Sequence, residues 1–162
     1  MIRQVREQTN WDEIAGIFNH YVITSTAAYS SQQSEGKFFY ENWKSNRNFP
    51  FYEVLEGEEV IGFCYMRAFH PADSMGESVV LTYFLSPSNT GNGIGKKLLE
   101  LLIRDGLKLG KTNFLVNISS DNEGSISFHR KNGFMECGRF RSVGKKNDKT
   151  FDMVWMQRIE SD

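Results

Sequence analysis

The chain has 162 residues, enough for one domain with a full hydrophobic core and short for two. Apolar residues make up 40% of it, and a formal net charge of -1 leaves no global field to draw in nucleic acid or an anionic membrane. Met1 to Asn10 lacks the apolar stretch of a signal peptide, and runs such as Phe114 to Val116 are far too short to span a bilayer, so a cytoplasmic protein is expected.

Ile2 to Val5 alternates as a short first strand would. Asn10 followed by Glu13 has N-cap spacing, and Ile14, Ile17, Phe18 and Tyr21 recur with helical period, which predicts a helix over about Trp11 to Tyr21. Thr24 to Gly36 is polar and Ser-rich, a loop, and Phe38 to Arg47 can form a second helix stopped before Pro50. Phe51 to Leu55 and Val60 to Phe69 read as two strands joined by a turn, followed by a loop from His70 to Gly76. Ser78 to Leu85 is a nearly continuous β-branched and aromatic run, as expected of a central strand buried on both faces.

Ser86 to Gly95 is rich in Gly, Asn, Ser and Pro and opens into a helix over Lys96 to Leu109, with Leu98, Leu102 and Leu109 on one face and Leu99 and Ile103 beside it. Asn113 to Ile118 is another strand. Ser120 and Glu123 have capping-box spacing ahead of a short helix that ends at Gly133. Phe134 to Phe140 and Phe151 to Gln157 close the chain as two strands around a polar hairpin at Gly144 to Lys149. With no internal repeat or linker, residues 1–162 are expected to form one mixed α/β domain. Cys64 and Cys137 lie among strand-like residues with no CxxC or His/Cys spacing, so no metal site is expected. Two reduced core thiols are the expectation, with a disulfide or a reactive thiol as the alternatives.

The most informative segment is Asn89-Thr90-Gly91-Asn92-Gly93-Ile94-Gly95-Lys96-Lys97, between a buried strand and an amphipathic helix. Alternating glycines let the backbone approach a ligand closely, and the amides of the helix N-terminus favour an anion such as a pyrophosphate. An ordinary Gly-rich turn is the alternative. The order GxxxxGK[ST] of a P-loop is absent, and a dinucleotide loop would follow the first strand.

Gly93-Ile94-Gly95, with Asp121 to Ile126 and then His129 to Phe134, resembles the coenzyme motifs of the GNAT acetyltransferases. Phe18 to Tyr21 with Ser25-Thr26, Tyr83 to Pro87, Gly138 to Phe140 and Val154 to Gln157 resemble its phosphinothricin and L-amino-acid N-acetyltransferase branch. The likeness spans nearly the whole chain. It implies a twisted, mostly antiparallel mixed sheet of about seven strands with flanking helices. It also implies acetyl transfer from acetyl-CoA to a small amino-acid-like amine by direct attack in a ternary complex, and a possible homodimer.

By resemblance, the backbone at Tyr83, Phe84 and Leu85 pairs with pantetheine, and Thr90 through Lys96 cradle the pyrophosphate. Asn122, with Ser125 beside it, contacts pantetheine or caps the helix. His129 sits at the position that serves the departing thiolate, or else is a His satisfied by backbone. Asn19, Tyr21, Tyr65 and the Phe69 to Ser74 loop border the acceptor. Arg67 pairs with an acceptor carboxylate or is simply a solvated strand residue.

Two departures stand out. Thr90 and Asn92 replace residues that are usually Arg or Gln and a second base, which leaves main-chain amides and Lys96 or Lys97 to hold the anion. The fourth strand of close relatives carries a Glu taken as the general base, and here that position is Val80. Glu77 lies three residues earlier, on the opposite face of a regular strand, and reaches the site only through a bulge. Val80 therefore keeps a second class of function in view, an acyl-CoA-binding sensor with little turnover. A peptide N-terminus or a polyamine is the alternative acceptor.

Overall fold

The computed structural model describes residues 1–160. Its elements are β1 (Ile2–Gln4), α1 (Trp11–Thr24), α2 (Gly36–Ser45), β2 (Phe51–Glu56), β3 (Glu59–Ala68), β4 (Ser78–Leu85), α3 (Ile94–Lys108), β5 (Asn113–Ser119), α4 (Glu123–Lys131), β6 (Met135–Lys146) and β7 (Lys149–Ile159). The strands form one seven-stranded sheet in the order β1-β2-β3-β4-β5-β7-β6. Every neighbouring pair is antiparallel except β4 and β5. That parallel pair requires a crossover, which α3 supplies.

Alternation along the strands builds two cores. Cys64, Met66, Val79, Leu81, Phe114, Val116, Val154 and Met156 face one side, where Leu98, Leu99, Leu102 and Ile103 of α3 and Ile126 of α4 pack onto them. Phe51 and Phe63 face the other side, against Ile14, Ile17 and Phe39 of α1 and α2. Phe84 and Tyr65 border this second cluster. By the same alternation Arg67, Val80, Thr82, Leu115, Asn117, Ser119 and Trp155 belong to the α1/α2 face.

The sequence reading needs correction in several places. α1 runs on to Thr24 because Val22 continues its buried face, and Ser25 in extended backbone ends it. In α3 the buried stripe is Leu98, Leu99, Leu102 and Ile103; Leu109 is the exposed C-cap residue. α4 is capped by Asn122, whose Oδ1 accepts from Ser125 N at 3.1 Å, and not by Ser120, whose Oγ accepts from Asp152 N. Only Cys64 is a core thiol: Cys137 lies on the edge strand β6 and is exposed, and both are free. The final hairpin is tighter than expected, with Asn147 and Asp148 both at positive φ between paired Lys146 and Lys149. That is the backbone of a two-residue type I′ turn, which Asn and Asp tolerate.

Candidate active site

The parallel ladder between β4 and β5 is short. It pairs Ser78 with Asn113, Val79 with Phe114 and Val80 with Leu115, and there it stops. Beyond it, Leu81 to Leu85 stay paired to β3, while β5 stays paired to β7 through Ser119. The two central strands thus part toward their C-terminal ends, and Thr82 to Leu85 are only half-buried, not enclosed on both faces. A strand edge left open inside a sheet offers backbone donors and acceptors to an extended ligand.

The glycine loop lies just past the end of β4. Gly91 (φ 80) and Gly93 (φ 77) are left-handed, and Gly93 is the N-cap of α3 without any side-chain cap. The first amides of α3 therefore have no intrahelical acceptor, and its first turn contains no acid. Lys96 in that turn approaches Glu100 of the next one, at 3.7 Å, and no other carboxylate among the described residues. Among the described residues, nothing beyond the adjoining residues lies within 4 Å of where a Cβ at Gly91 or Gly93 would stand. Uncapped amides, an open cradle and nearby lysines fit a bound diphosphate.

Between the strands and α4 sits a buried polar pair. The carbonyl of Ser125 can only accept, and it lies 2.7 Å from Nδ1 of His129, so Nδ1 carries the imidazole proton. Nε2 is then bare, and it accepts from the hydroxyl of Tyr83. His129 is 3% exposed, and burial pulls its pKa down from 6.5 to about 4. Burial likewise pushes the Tyr83 phenol well above its usual value. Both groups are neutral at physiological pH. Strand alternation could have indicated that the Tyr83 side chain faces α4; its union with His129 depends on how α4 docks.

The other predicted residues divide into two groups. Tyr65 is half-buried against Phe51 and Phe63 and lies on the α1/α2 face beside its strand partner Thr82. Arg67 is exposed and lies opposite Val80 in the β3–β4 ladder, at an open cleft also lined by Phe38, Glu41 and Asn42 of α2. By contrast, Asn19 spends both ends of its amide on the backbone of Ser34, each at 2.8 Å. The Tyr21 hydroxyl donates to Leu85 O at 2.6 Å, so Tyr21 joins α1 to the end of β4. The loop after β3 is held by Phe69, whose ring meets Trp155 edge-on.

Glu77 is not brought to this site. The β3–β4 register runs without a shift, so no bulge re-aims it. Its carboxylate accepts from the Thr112 hydroxyl at 2.9 Å, at the N-terminal ends of β4 and β5. Six residues of extended chain, about 20 Å, separate it from Tyr83. Val80 is 1% exposed, and no acid replaces it on β4. Among the described residues no His, Cys, Asp and Glu cluster suits a metal.

A splayed parallel pair in an otherwise antiparallel sheet, with an uncapped glycine-led helix beside it, defines an acyl-coenzyme site. The chain belongs to the GNAT acetyltransferases: the acetyltransferase (GNAT) domain model matches residues 2–155. It is 29% identical over 150 residues to the L-amino acid N-acyltransferase MnaT of Escherichia coli (strain K12), covering 89% of this chain and 85% of that protein. It is also 29% identical over 149 residues to the L-methionine sulfoximine/L-methionine sulfone acetyltransferase of Salmonella typhimurium, with 89% and 85% covered. The crystal structure of a GNAT superfamily phosphinothricin acetyltransferase from Sinorhizobium meliloti in complex with AcCoA superimposes with a TM-score of 0.92 at 26% identity, over 99% of this chain and 88% of that one.

Proposed function

We propose that this enzyme transfers the acetyl group of acetyl-CoA to the primary amine of a small amino-acid-like acceptor, by direct attack with both substrates bound. The observation that carries this reading is the β4/β5 gap, with a diphosphate-suited helix end beside it and a buried Tyr–His pair along it. Acetyl-CoA supplies the activated thioester.

The amides of Gly91, Asn92, Gly93, Ile94, Gly95 and Lys96 hold the diphosphate, with Thr90 at the loop entrance. The free edge of β4 at Tyr83, Phe84 and Leu85 holds the pantetheine amides as an added strand would. A β4 amide polarises the thioester carbonyl. Asn122 uses Oδ1 for its cap, which leaves Nδ2 as the donor it can offer pantetheine. The Tyr83 hydroxyl, kept protonated by burial, rests on Nε2 of His129. Turned from Nε2 to the departing thiolate it gives up its one proton, and the phenolate left behind takes the second proton of the newly acetylated nitrogen.

The acceptor enters from the α1/α2 face, where Tyr65, Thr82, Val80 and Arg67 stand together; Arg67 is the cation for its carboxylate. Because Val80 cannot take a proton, the amine sheds its first proton to water before attack. Positioning then provides much of the acceleration. A single cytoplasmic domain is part of this reading, as is a homodimer joined along the edge strand β6, where Met135, Phe140 and Val143 are exposed.

Val80 also favours a second reading, a coenzyme sensor with little turnover. Thiol release from acetyl-CoA in the presence of methionine sulfone, phosphinothricin, free amino acids, spermidine and short peptides separates the two. Turnover on the amino-acid-like amines is expected. Tight acetyl-CoA binding with no amine-dependent release would sink the transferase reading, and turnover on peptides alone would move the acceptor.

A further inference from the structure

Lys146 is 4% exposed and, among the described residues, faces no carboxylate. Its ammonium donates to two backbone carbonyls, Ser25 O and Ala28 O, each at 2.7 Å. A buried ammonium is expensive unless its protons are engaged, so these two bonds bind the segment after α1 tightly to the final hairpin. Two further contacts act on the same segment. Ser119, the last residue of β5, donates to the Thr26 hydroxyl at 2.8 Å. Tyr29 stacks on Phe151 at 5.9 Å, and that ring lies so close over Gly144 that a Cβ there would stand 2.2 Å from it.

The position of this segment gives the contacts their meaning. α1 ends above the C-terminus of β4, where Tyr21 bonds Leu85 O. The next residues then cross to Ser119 at the C-terminus of β5 and on to the β6–β7 turn. Ser25 to Tyr29 therefore bridges the two splayed strands on the α1/α2 face, at the wide end of the gap.

We propose that Lys146 is a positioning residue for the acceptor: it latches the 25–29 segment across the gap, and the latched segment forms the wall against which the amine substrate is held. This rests on the acceptor side assigned above. The diphosphate cradle at Gly91 to Lys96 shares no hydrogen bond with this segment, so the latch is expected to act far more on acceptor binding than on coenzyme binding.

The test uses the full chain, with Lys146→Met, Lys146→Arg and Ser119→Ala. Backbone hydrogen exchange over residues 25–30 is read together with acetyl-CoA Kd, and with KM and kcat for methionine sulfone at saturating acetyl-CoA. For Lys146→Met, exchange is expected to quicken at least tenfold and the acceptor KM to rise at least tenfold, while acetyl-CoA Kd stays within twofold. Lys146→Arg, which keeps the charge and several N–H donors but is bulkier, is expected to restore part of both. Ser119→Ala moves the same readouts less.

Exchange and acceptor KM both within twofold of the parent overturn the proposal. So does a parallel loss of acetyl-CoA binding, which marks a general folding role. If Lys146→Met does not fold, Ser119→Ala decides by the same criteria. A parent protein that binds acetyl-CoA but acetylates no amine would instead defeat the transferase reading, and exchange over 25–30 would still decide the latch.

Discussion

The Tyr83 hydroxyl donates to Nε2 of His129, and together with the bond from Nδ1 to Ser125 O this assigns a protonation state to both residues. With Nδ1 committed to Ser125 O, the imidazole cannot offer a proton from Nε2 without first becoming a buried cation. Tyr83 holds the available proton. Tyr83→Phe is expected to lower kcat about 100-fold, the low end of a general-acid contribution, with acetyl-CoA Kd within twofold. His129→Gln lowers kcat by a smaller factor, since the amide can still accept from the phenol. Steady-state kinetics with calorimetric coenzyme binding make the check. If Tyr83→Phe keeps full kcat, the hydroxyl is structural.

The same burial couples folding to pH. His129 titrates at about 4 when folded and near 6.5 when unfolded. Between those values the unfolded chain binds more protons, so stability rises with pH. The contribution is fully present above about pH 6.5, declines as pH falls toward 4 and loses nothing further below, a total of roughly 3 kcal/mol. Urea unfolding of the parent should show this fall across pH 6.5 to 4, and His129→Asn should flatten it. Asp105, held down to about 2 by hydrogen bonds from Arg104, Tyr52 and Lys108 against the cost of burial, acts in a more acidic window and leaves this one clear. Identical pH slopes for parent and variant would show that His129 is not the group responsible.

Periodicity revealed the order of helices and strands because each buries one continuous face, and those faces recur at 3.6 or 2 residues. The Gly91 to Lys96 loop was legible for a different reason, since few residue types tolerate the left-handed backbone required at Gly91 and Gly93. Long-range polar contacts leave no such trace. Nothing near Lys146 in sequence points to Ser25 O, 121 residues away, and nothing near Tyr83 points to Nε2 of His129, 46 residues away. Strand parity sets Glu77 and Val80 on opposite faces of a regular strand, whereas Glu77 precedes β4 and its carboxylate meets Thr112. The regular β3–β4 register, which removes the bulge that would have rescued Glu77, exists only in three dimensions.

Gly93 and Gly95 should separate backbone strain from side-chain crowding. Gly93 sits at φ 77, so Gly93→Ala forces a Cβ into left-handed backbone, although nothing occupies the space it enters. A loss of about 1–2 kcal/mol is expected, together with an acetyl-CoA Kd raised about tenfold as the cradle shifts. Gly95 is the second residue of α3, in helical backbone, and its Cβ would meet Phe128 Cζ at 3.7 Å, an ordinary contact. Gly95→Ala should gain about 0.5–1 kcal/mol and keep coenzyme affinity within threefold. Thermal shift and calorimetry read both. If Gly93→Ala binds acetyl-CoA normally, the amides of that turn do not hold the coenzyme.

The last expectation concerns Glu77 and the path of the amine proton. Glu77 accepts from Thr112 at the closed ends of β4 and β5, while the strands part beyond Val80. A Gln at 77 can still accept from the Thr112 hydroxyl and cannot act as a base. Glu77→Gln should therefore leave kcat, acceptor KM and the pH dependence of kcat/KM within twofold of the parent. In both proteins kcat/KM should climb with pH until the acceptor amine itself is neutral, with no carboxylate or imidazole inflection below pH 7, because the buried imidazole is already neutral above about 4. A panel of acceptors with different amine pKa values should shift the profile in step. A tenfold fall in kcat for Glu77→Gln, with loss of an acidic limb, would instead require the β4–β5 end to rearrange on substrate binding and return Glu77 to the role of base.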